Sequence, residues 1–248
     1  MQHKQRFTNV TLVTPFGEED KDLLTNGDKI VDIVNQNENI SDDWKIIDCQ
    51  NNYIFPGMID VLQHGFLNYL YGHAEENCAV ENSKLLPSVG VTGFLPSTPC
   101  LPPDKTKTLL NALSNDIDKA KEGARVLGIH SEGPCFALPG AHDPKNLRKP
   151  SVPLAEELLE ACEGKLKALT LAPEMNGSEE FIKRLKKEKI SIHLGHSGAN
   201  PIDVPKFADW GVDAVTHMYD ALPTYPPDDT GVHVLSLTDA LIAETRIA

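Results

Sequence analysis

Gly128–Pro134 reads GIHSEGP, and this stretch decides the fold. A β-rich run that opens at Arg125 leads to Glu132, and Gly133-Pro134 breaks it at once. Glycine admits turn conformations, and proline has no N–H to extend a ladder, so the carboxylate is delivered at a strand end and held there.

Five similar apolar runs lie on either side: Gly57–Val61, Val91–Leu95, Leu166–Leu171, Ile190–Leu194 and Val212–Thr216. Between the six runs lie five amphipathic stretches: Ala74–Leu86, Asp104–Glu122, Pro153–Glu163, Ser178–Lys189 and Pro201–Trp210. Strands alternating with helices predict a parallel α/β sheet. A repeat of roughly 30 residues suits either a barrel or a doubly wound sheet. The strand ends choose between them. Chemically capable groups follow nearly every run: His64, Ser97-Thr98, His130-Ser131-Glu132, Glu174, His196-Ser197 and His217. In a parallel barrel all strand C-termini open onto one face, where such groups converge. No GxGxxG follows the first strand and no GxxxxGK[ST] occurs, so the nucleotide-binding alternatives have no support.

The expected fold class is therefore α/β, a (β/α)8-type TIM barrel over residues 56–248. Six strands do not close a barrel of eight. The tail Ser236–Ala248 has room for one helix and the start of a seventh strand, so an incomplete barrel of six to seven units is expected, short at its C-terminus by one or two units. Residues 1–55 differ in character. Phe7–Val13, Lys29–Val34 and Trp44–Phe55 are β-rich, and Asn26-Gly27-Asp28 marks a tight hairpin turn.

Bulk properties narrow the partners. A formal net charge of −13 over 248 residues argues against nucleic acid or an anionic membrane surface as partner. No stretch reaches the roughly 18 apolar residues of a membrane span, and the N-terminus lacks the apolar core of a signal peptide. Five scattered cysteines without a CxxC pair read as reduced thiols in a cytoplasmic protein.

The strand ends also suggest a chemistry. Glu132, His196 and His217 offer one carboxylate and two imidazoles, a ligand set suited to Zn²⁺ or another divalent first-row metal with one position left for water. Such a metal lowers the pKa of water and polarises a carbonyl oxygen. Taken singly, a strand-end His or Glu is more often a solvated loop group; three together shift the balance to a site. His130 and His193 lie inside β runs among apolar neighbours and read as structural. His3, His73 and His233 have no supporting context.

With these residues in place, the chain resembles the N-acetylglucosamine-6-phosphate deacetylases of the amidohydrolase superfamily. The matching segments are Pro56–Gly65 (PGMIDVLQHG), Gly90–Thr98 (GVTGFLPST), Leu127–Pro134 (LGIHSEGP), Gly140–Pro144 (GAHDP), Thr170–Met175 (TLAPEM), Leu194–Ser197 (LGHS) and Thr216–Pro223 (THMYDALP). The resemblance implies a small β-sandwich portion, including residues 1–55, on a (β/α)8 barrel. It implies that Glu132, His196 and His217 bind the catalytic metal, that Ala141 and His142 lie against the sugar, and that Asp220 and Ala221 help to hold the substrate. It also implies an amino-sugar phosphate as substrate, acetate and glucosamine 6-phosphate as products, and a homodimer.

Four departures qualify it. Leu62-Gln63-His64 stands where many amidohydrolases carry His-x-His, which predicts one metal ion, with His64 only a weak extra ligand. Asp220 stands where the family has Asn. Tyr225–Thr230 (YPPDDT) lacks the family's phosphate-binding arginine, a contact that a neutral group does not replace. Finally, the family's acid/base aspartate belongs to the eighth strand. Leu237–Ala240 (LTDA) imitates that motif but aligns with the segment before the seventh strand, so Asp239 is expected on a surface helix or loop. The acid/base would then lie beyond Ala248, no catalytic residue is assigned, and a weak or inactive deacetylase is expected. Two alternatives stand beside this reading: an amidohydrolase for another small amide, and a non-catalytic metal-binding remnant or fragment. The metal's identity is open among Zn²⁺, which is favoured, Fe²⁺, Mn²⁺ and Co²⁺.

Overall fold

The computed structural model describes residues 4–41, 43–73, 77–222, 231 and 234–248. Tyr225–Thr230, His3 and His233 lie outside these residues, as does the side chain of His73. The chain divides into two compact units, Met1–Gly57 and Met58–Ala248.

The smaller unit is one sheet of five strands: β1 (Lys4–Thr14), β2 (Gly17–Glu19), β3 (Lys21–Asn26), β4 (Lys29–Asn35) and β5 (Lys45–Ile54). β1 pairs antiparallel with β2 and β3 and parallel with β5, and β4 closes a hairpin on β3. That hairpin turns where Asn-Gly-Asp predicts, with Gly27 at φ +62°, a left-handed conformation that glycine accepts without steric cost. Val10, Leu12 and Leu23 form its small core with Phe7, Cys49 and Ile54. Ile30, Ile33 and Phe55 stay exposed at 67, 43 and 56 %. The described residues of this unit thus make a single sheet and not by themselves a two-layer sandwich.

The larger unit holds the parallel sheet. Its strands are β6 (Met58–Gln63), a short hairpin of β7 (Gly65–Phe66) and β8 (Tyr69–Leu70), then β9 (Val91–Thr98), β10 (Arg125–Val126), β11 (Ile129–Glu132), β12 (Leu166–Leu171), β13 (Ser191–Leu194) and β14 (Ala214–Val215). β10 and β11 are two pieces of one barrel strand, and the spatial order is β6, β9, β10/β11, β12, β13, β14, parallel throughout. This is a curled, incomplete barrel of six strands. β12 is buried at five of its six positions, the pattern of a parallel strand covered on both faces.

The helices α1 (Cys78–Leu85), α2 (Pro103–Lys119), α3 (Val152–Ala161), α4 (Ser178–Lys186), α5 (Val204–Trp210) and α6 (Leu237–Ala243) follow the strands, each packing on the next. α4 shows why these segments are helical. Glu179 and Glu180 occupy its first turn and Lys183, Arg184 and Lys186 its last, matching the helix dipole. Phe181, Ile182 and Leu185 form the buried stripe.

Several boundaries differ from the sequence reading. The third strand breaks at Gly128, at φ +151° in a place where a Cβ would lie 2.8 Å from Lys165 O and against the Lys167 side chain, and then continues past His130 to Glu132. The sixth strand is only Ala214–Val215, because Asp213 is committed elsewhere: its carboxylate accepts from the backbone N–H of Ile192 and from Lys186 Nζ. The stretch from Pro201 opens as a 3₁₀ turn, Pro201–Asp203, before α5. At the far edge, Val215 N donates to Ala248 O and Ala248 N donates to Asp213 O (2.9 and 2.8 Å), so the backbone of Ala248 lies along the outer edge of β14. No helix among the described residues is long and apolar enough to cross a membrane.

Candidate metal centre

Glu132 closes β11 with its carboxylate buried, at 4 % residue exposure. Gly133 at φ +88° turns the chain, and its N–H donates to Thr170 O on the neighbouring strand (2.9 Å). Four imidazoles converge on this carboxylate. His64 Nε2 and His142 Nε2 lie 3.1 and 3.4 Å from Oε2, and His196 Nε2 and His217 Nε2 lie 3.4 and 3.3 Å from Oε1. Ligand atoms of Glu132, His196 and His217 lie within 4.8 Å of one another.

The remote ring nitrogens show which of these histidines suit a cation. His196 Nδ1 is 3.1 Å from Leu138 O, His217 Nδ1 is 3.0 Å from Asp220 O, and His64 Nδ1 is 3.1 Å from Ser97 O. A carbonyl oxygen only accepts, so each Nδ1 carries a proton and donates it. In its neutral form each ring then presents a bare lone pair at Nε2, the arrangement typical of a metal-ligating histidine with a carbonyl behind it. His196 Nε2 and His217 Nε2 face each other at 3.1 Å, beside a carboxylate oxygen. Three electron-pair donors at this spacing are compatible once a cation joins them, and the donor set fits a divalent metal.

His142 is of the opposite kind. Its Nδ1 accepts from the backbone N–H of Cys100 at 3.3 Å, which puts the proton on Nε2 and directs an N–H at Glu132. His142 is thus a donor to the carboxylate, whereas His64 shares the ligand-type tautomer of His196 and His217. His64 is the more open of these groups, with its side chain 46 % exposed.

Neighbouring loops fix His196 and His217. His196 adopts φ +53° and His217 φ +33°, left-handed conformations that surrounding contacts must hold. His196 O accepts from the N–H groups of Ala137 and Leu138 (3.1 and 2.9 Å), and its ring stacks on Phe136 at 4.1 Å with 18° between the planes. The next two residues are tied to Glu174, whose carboxylate accepts from Ser197 Oγ and Gly198 N (2.8 and 2.7 Å). Phe136, Leu138 and the Ser97 carbonyl escaped the sequence reading. The apolar FALPG run beside the GAH segment is the one sequence signal for the first two.

Burial opposes ionisation of Glu132, but the four imidazoles around it outweigh this, His142 as a donor and the others whenever Nε2 carries a proton, and hold the carboxyl far below the usual range. The bond to Glu132 in turn raises both His64 and His217. Protons therefore compete with a cation for the same lone pairs.

The remaining candidates have different settings. Ala141 is exposed on the loop after Gly140. Asp220 Oδ1 accepts from the N–H of Ala221 at 2.9 Å, so its carboxylate bonds locally while its carbonyl serves His217. Asp239 lies in the first turn of α6, where its carboxylate accepts from Ser236 N and Oγ (2.9 and 2.6 Å) in a capping box.

His130 and His193 lie one layer below. His130 Nδ1 donates to Val61 O at 2.6 Å, Nε2 is 2.8 Å from Thr170 Oγ1, and the two imidazoles meet edge-on at 4.8 Å. Burial first, and then the neighbouring His193, pushes His130 down to about 4. Its folded pKa is below the ordinary imidazole value near 6.5, so the unfolded chain binds this proton first and stability falls as pH drops from about 6.5 to about 4. The loss attached to this one group is on the order of 3 kcal/mol. Urea unfolding at pH 7.0, 5.5 and 4.5 should show His130→Gln losing less stability on acidification than the parent. Equal losses in both proteins would contradict a neutral buried His130.

No family model matches the chain. Individual relatives do. It is 30% identical over 251 residues to N-acetylglucosamine-6-phosphate deacetylase from Homo sapiens, covering 96% of this chain and 60% of that protein. It is 32% identical over 191 residues to the enzyme of the same name from Bacillus subtilis, covering 73% of this chain and 47% of the relative. Among solved structures, N-acetylglucosamine-6-phosphate deacetylase from Thermotoga maritima superposes with a TM-score of 0.76 at 29% identity, over 98% of this chain and 61% of that one. The chain thus spans about half to three fifths of the length of the curated relatives it matches. Within that span, the chain is similar throughout to N-acetylglucosamine-6-phosphate deacetylases.

Proposed function

We propose that this chain carries the metal-binding corner of a deacetylase that removes the acetyl group of N-acetylglucosamine 6-phosphate, giving acetate and glucosamine 6-phosphate. The observation that carries the reading is the convergence of Glu132, His196 Nε2 and His217 Nε2, with both imidazoles held in the ligand tautomer by carbonyls behind them. One divalent cation, Zn²⁺ in first place, supplies polarisation of the acetamide carbonyl and acidification of water when bound. Glu132, His196 and His217 would hold it, with His64 a weak further ligand on the open side. His142 directs its Nε2–H at Glu132, and with Ala141 beside it lies against the sugar, a role that rests on the family likeness. Asp220 and Ala221 help to hold the substrate, a role that rests on the family likeness.

Among the described residues, none is assigned to proton transfer. Asp239 serves α6 as a cap, and absence of a positioned acid/base costs roughly 10²–10⁴ in rate. The exposed apolar side chains of the small sheet, Ile30, Ile33 and Phe55, support reading it as one layer of a sandwich. Five free cysteines support a reducing, cytoplasmic setting, and a homodimer follows from the family likeness alone.

The test is acetate release from N-acetylglucosamine 6-phosphate and from unphosphorylated N-acetylglucosamine, with metal content measured on the same samples. About one metal ion per chain, preference for the phosphate ester, slow turnover and an unaffected Asp239→Asn variant are expected. Retention of no divalent metal, or equal rates on the two sugars, would sink the reading.

A further inference from the structure

The three ligand-bearing strand ends meet at one buried side chain that belongs to none of them. Thr170 lies on β12, directly opposite Glu132 in the register of β11, and is fully buried. Its backbone oxygen accepts from the N–H of Gly133, the residue after Glu132, at 2.9 Å. Its hydroxyl lies 2.8 Å from His130 Nε2 and 2.7 Å from Thr216 Oγ1. Its methyl group packs on Gly195, the residue before His196, so closely that a Cβ placed there would lie 2.7 Å from Thr170 Cγ2. Thr216 in turn precedes His217 and also flanks Gly195, at 3.1 Å by the same measure.

The direction of these hydrogen bonds is determined. His130 Nδ1 donates to Val61 O, so Nε2 of the neutral ring can only accept. Thr170 must therefore give its hydroxyl proton to His130, and its oxygen receives the proton of Thr216. The chain runs Thr216 to Thr170 to His130 to the Val61 carbonyl, linking the residue after β14 to β12, β11 and β6. All three side chains are buried, at 3, 0 and 0 % exposure, so water does not compete for these bonds. A buried, fully directed network of this kind holds one arrangement of its members and not several.

We propose that Thr170 is a positioning residue for the metal centre: its hydroxyl, which joins Thr216 to His130, sets the spacing of the Glu132, His196 and His217 strand ends. The inference rests on the reading of those three residues as metal ligands. Thr170→Val keeps the shape and the methyl contact with Gly195 but leaves Thr216 Oγ1 and His130 Nε2 without their common partner. Thr170→Ser keeps the hydroxyl network.

The experiment uses Co²⁺ as probe on the full 248-residue chain, reading its dissociation constant by chelator competition and its visible ligand-field spectrum, with thermal unfolding alongside. Thr170→Val should bind Co²⁺ roughly 10–100-fold more weakly, the cost typical of losing a partner behind a ligand, and with a shifted spectrum. Thr170→Ser should stay within about threefold of the parent. If Thr170→Val does not fold, Thr216→Val interrupts the same network from the His217 side and should show the same spectral shift. Unchanged Co²⁺ affinity and spectrum in the valine variant, with only a lower melting temperature, would reduce Thr170 to a packing residue and overturn the proposal. Failure of the parent chain to bind Co²⁺ would overturn the metal reading itself, and the two failures are distinguished by which protein shows them.

Discussion

Glu132→Gln is expected to lose stoichiometric divalent-metal binding, with affinity falling by more than the roughly 100-fold that loss of an outer partner costs. Glutamine keeps the shape of glutamate but removes the one negative charge among four imidazoles. It also places a donor amide where lone pairs of His64, His196 and His217 converge, so the site repels a cation it formerly attracted. The hydrogen bond to Glu132 that raises His64 and His217 weakens with the charge, and both rings should titrate closer to the ordinary value near 6.5. Metal content after dialysis, together with histidine titration by NMR, checks both parts. In the parent, metal binding should weaken as pH falls through the raised values of His64 and His217, because protons then occupy the ligand atoms. A Glu132→Gln protein that keeps one metal ion per chain would remove Glu132 from the ligand set.

The largest loss of stability from a single added methyl group near the site is expected for Gly133→Ala. Two penalties add. Gly133 has φ +88°, and a Cβ there would lie 2.5 Å from Cys100 Sγ and 3.0 Å from two ring carbons of Phe136. The backbone term is about 1–2 kcal/mol, and overpacking adds about 1–3 kcal/mol. A combined loss of roughly 3 kcal/mol lowers the melting temperature by roughly 6–12 °C in a chain of this size. Phe136 is the ring on which His196 stacks, so metal affinity should fall in the same variant. Gly27→Ala supplies the comparison, with φ +62° and nothing within 4 Å of the added atom; it should cost only the backbone part. Equal melting temperatures for the two variants would show that the contacts around Gly133 yield without cost.

Much of the barrel was legible because its signals are local. Leu166–Leu171 has the same bounds in sequence and structure, since a continuous apolar run between a turn and a loop has few other uses in an α/β chain. The hairpin at Gly27 was equally plain, since Asn-Gly-Asp suits a tight turn. Less legible were Lys21–Asn26, which became β3 without marked alternation, and Ala214–Val215, shortened by the side-chain commitments of Asp213. No pattern within either segment records these outcomes, because both depend on partners distant in the chain.

For the site, residue types and their arrival at strand ends single out Glu132, His196 and His217 from the sequence by itself. The chain order of apolar runs and amphipathic stretches likewise determines a parallel barrel architecture. What only the tertiary structure decided is the role of each imidazole. His64 and His142 are both strand-end or loop histidines in the sequence, yet Ser97 O leaves His64 with a bare Nε2, and the Cys100 N–H leaves His142 with a proton there. The tautomer of a histidine is set by whatever faces its other nitrogen. In this protein those groups are backbone carbonyls and an N–H brought in by other strands and loops, which side-chain identity does not encode.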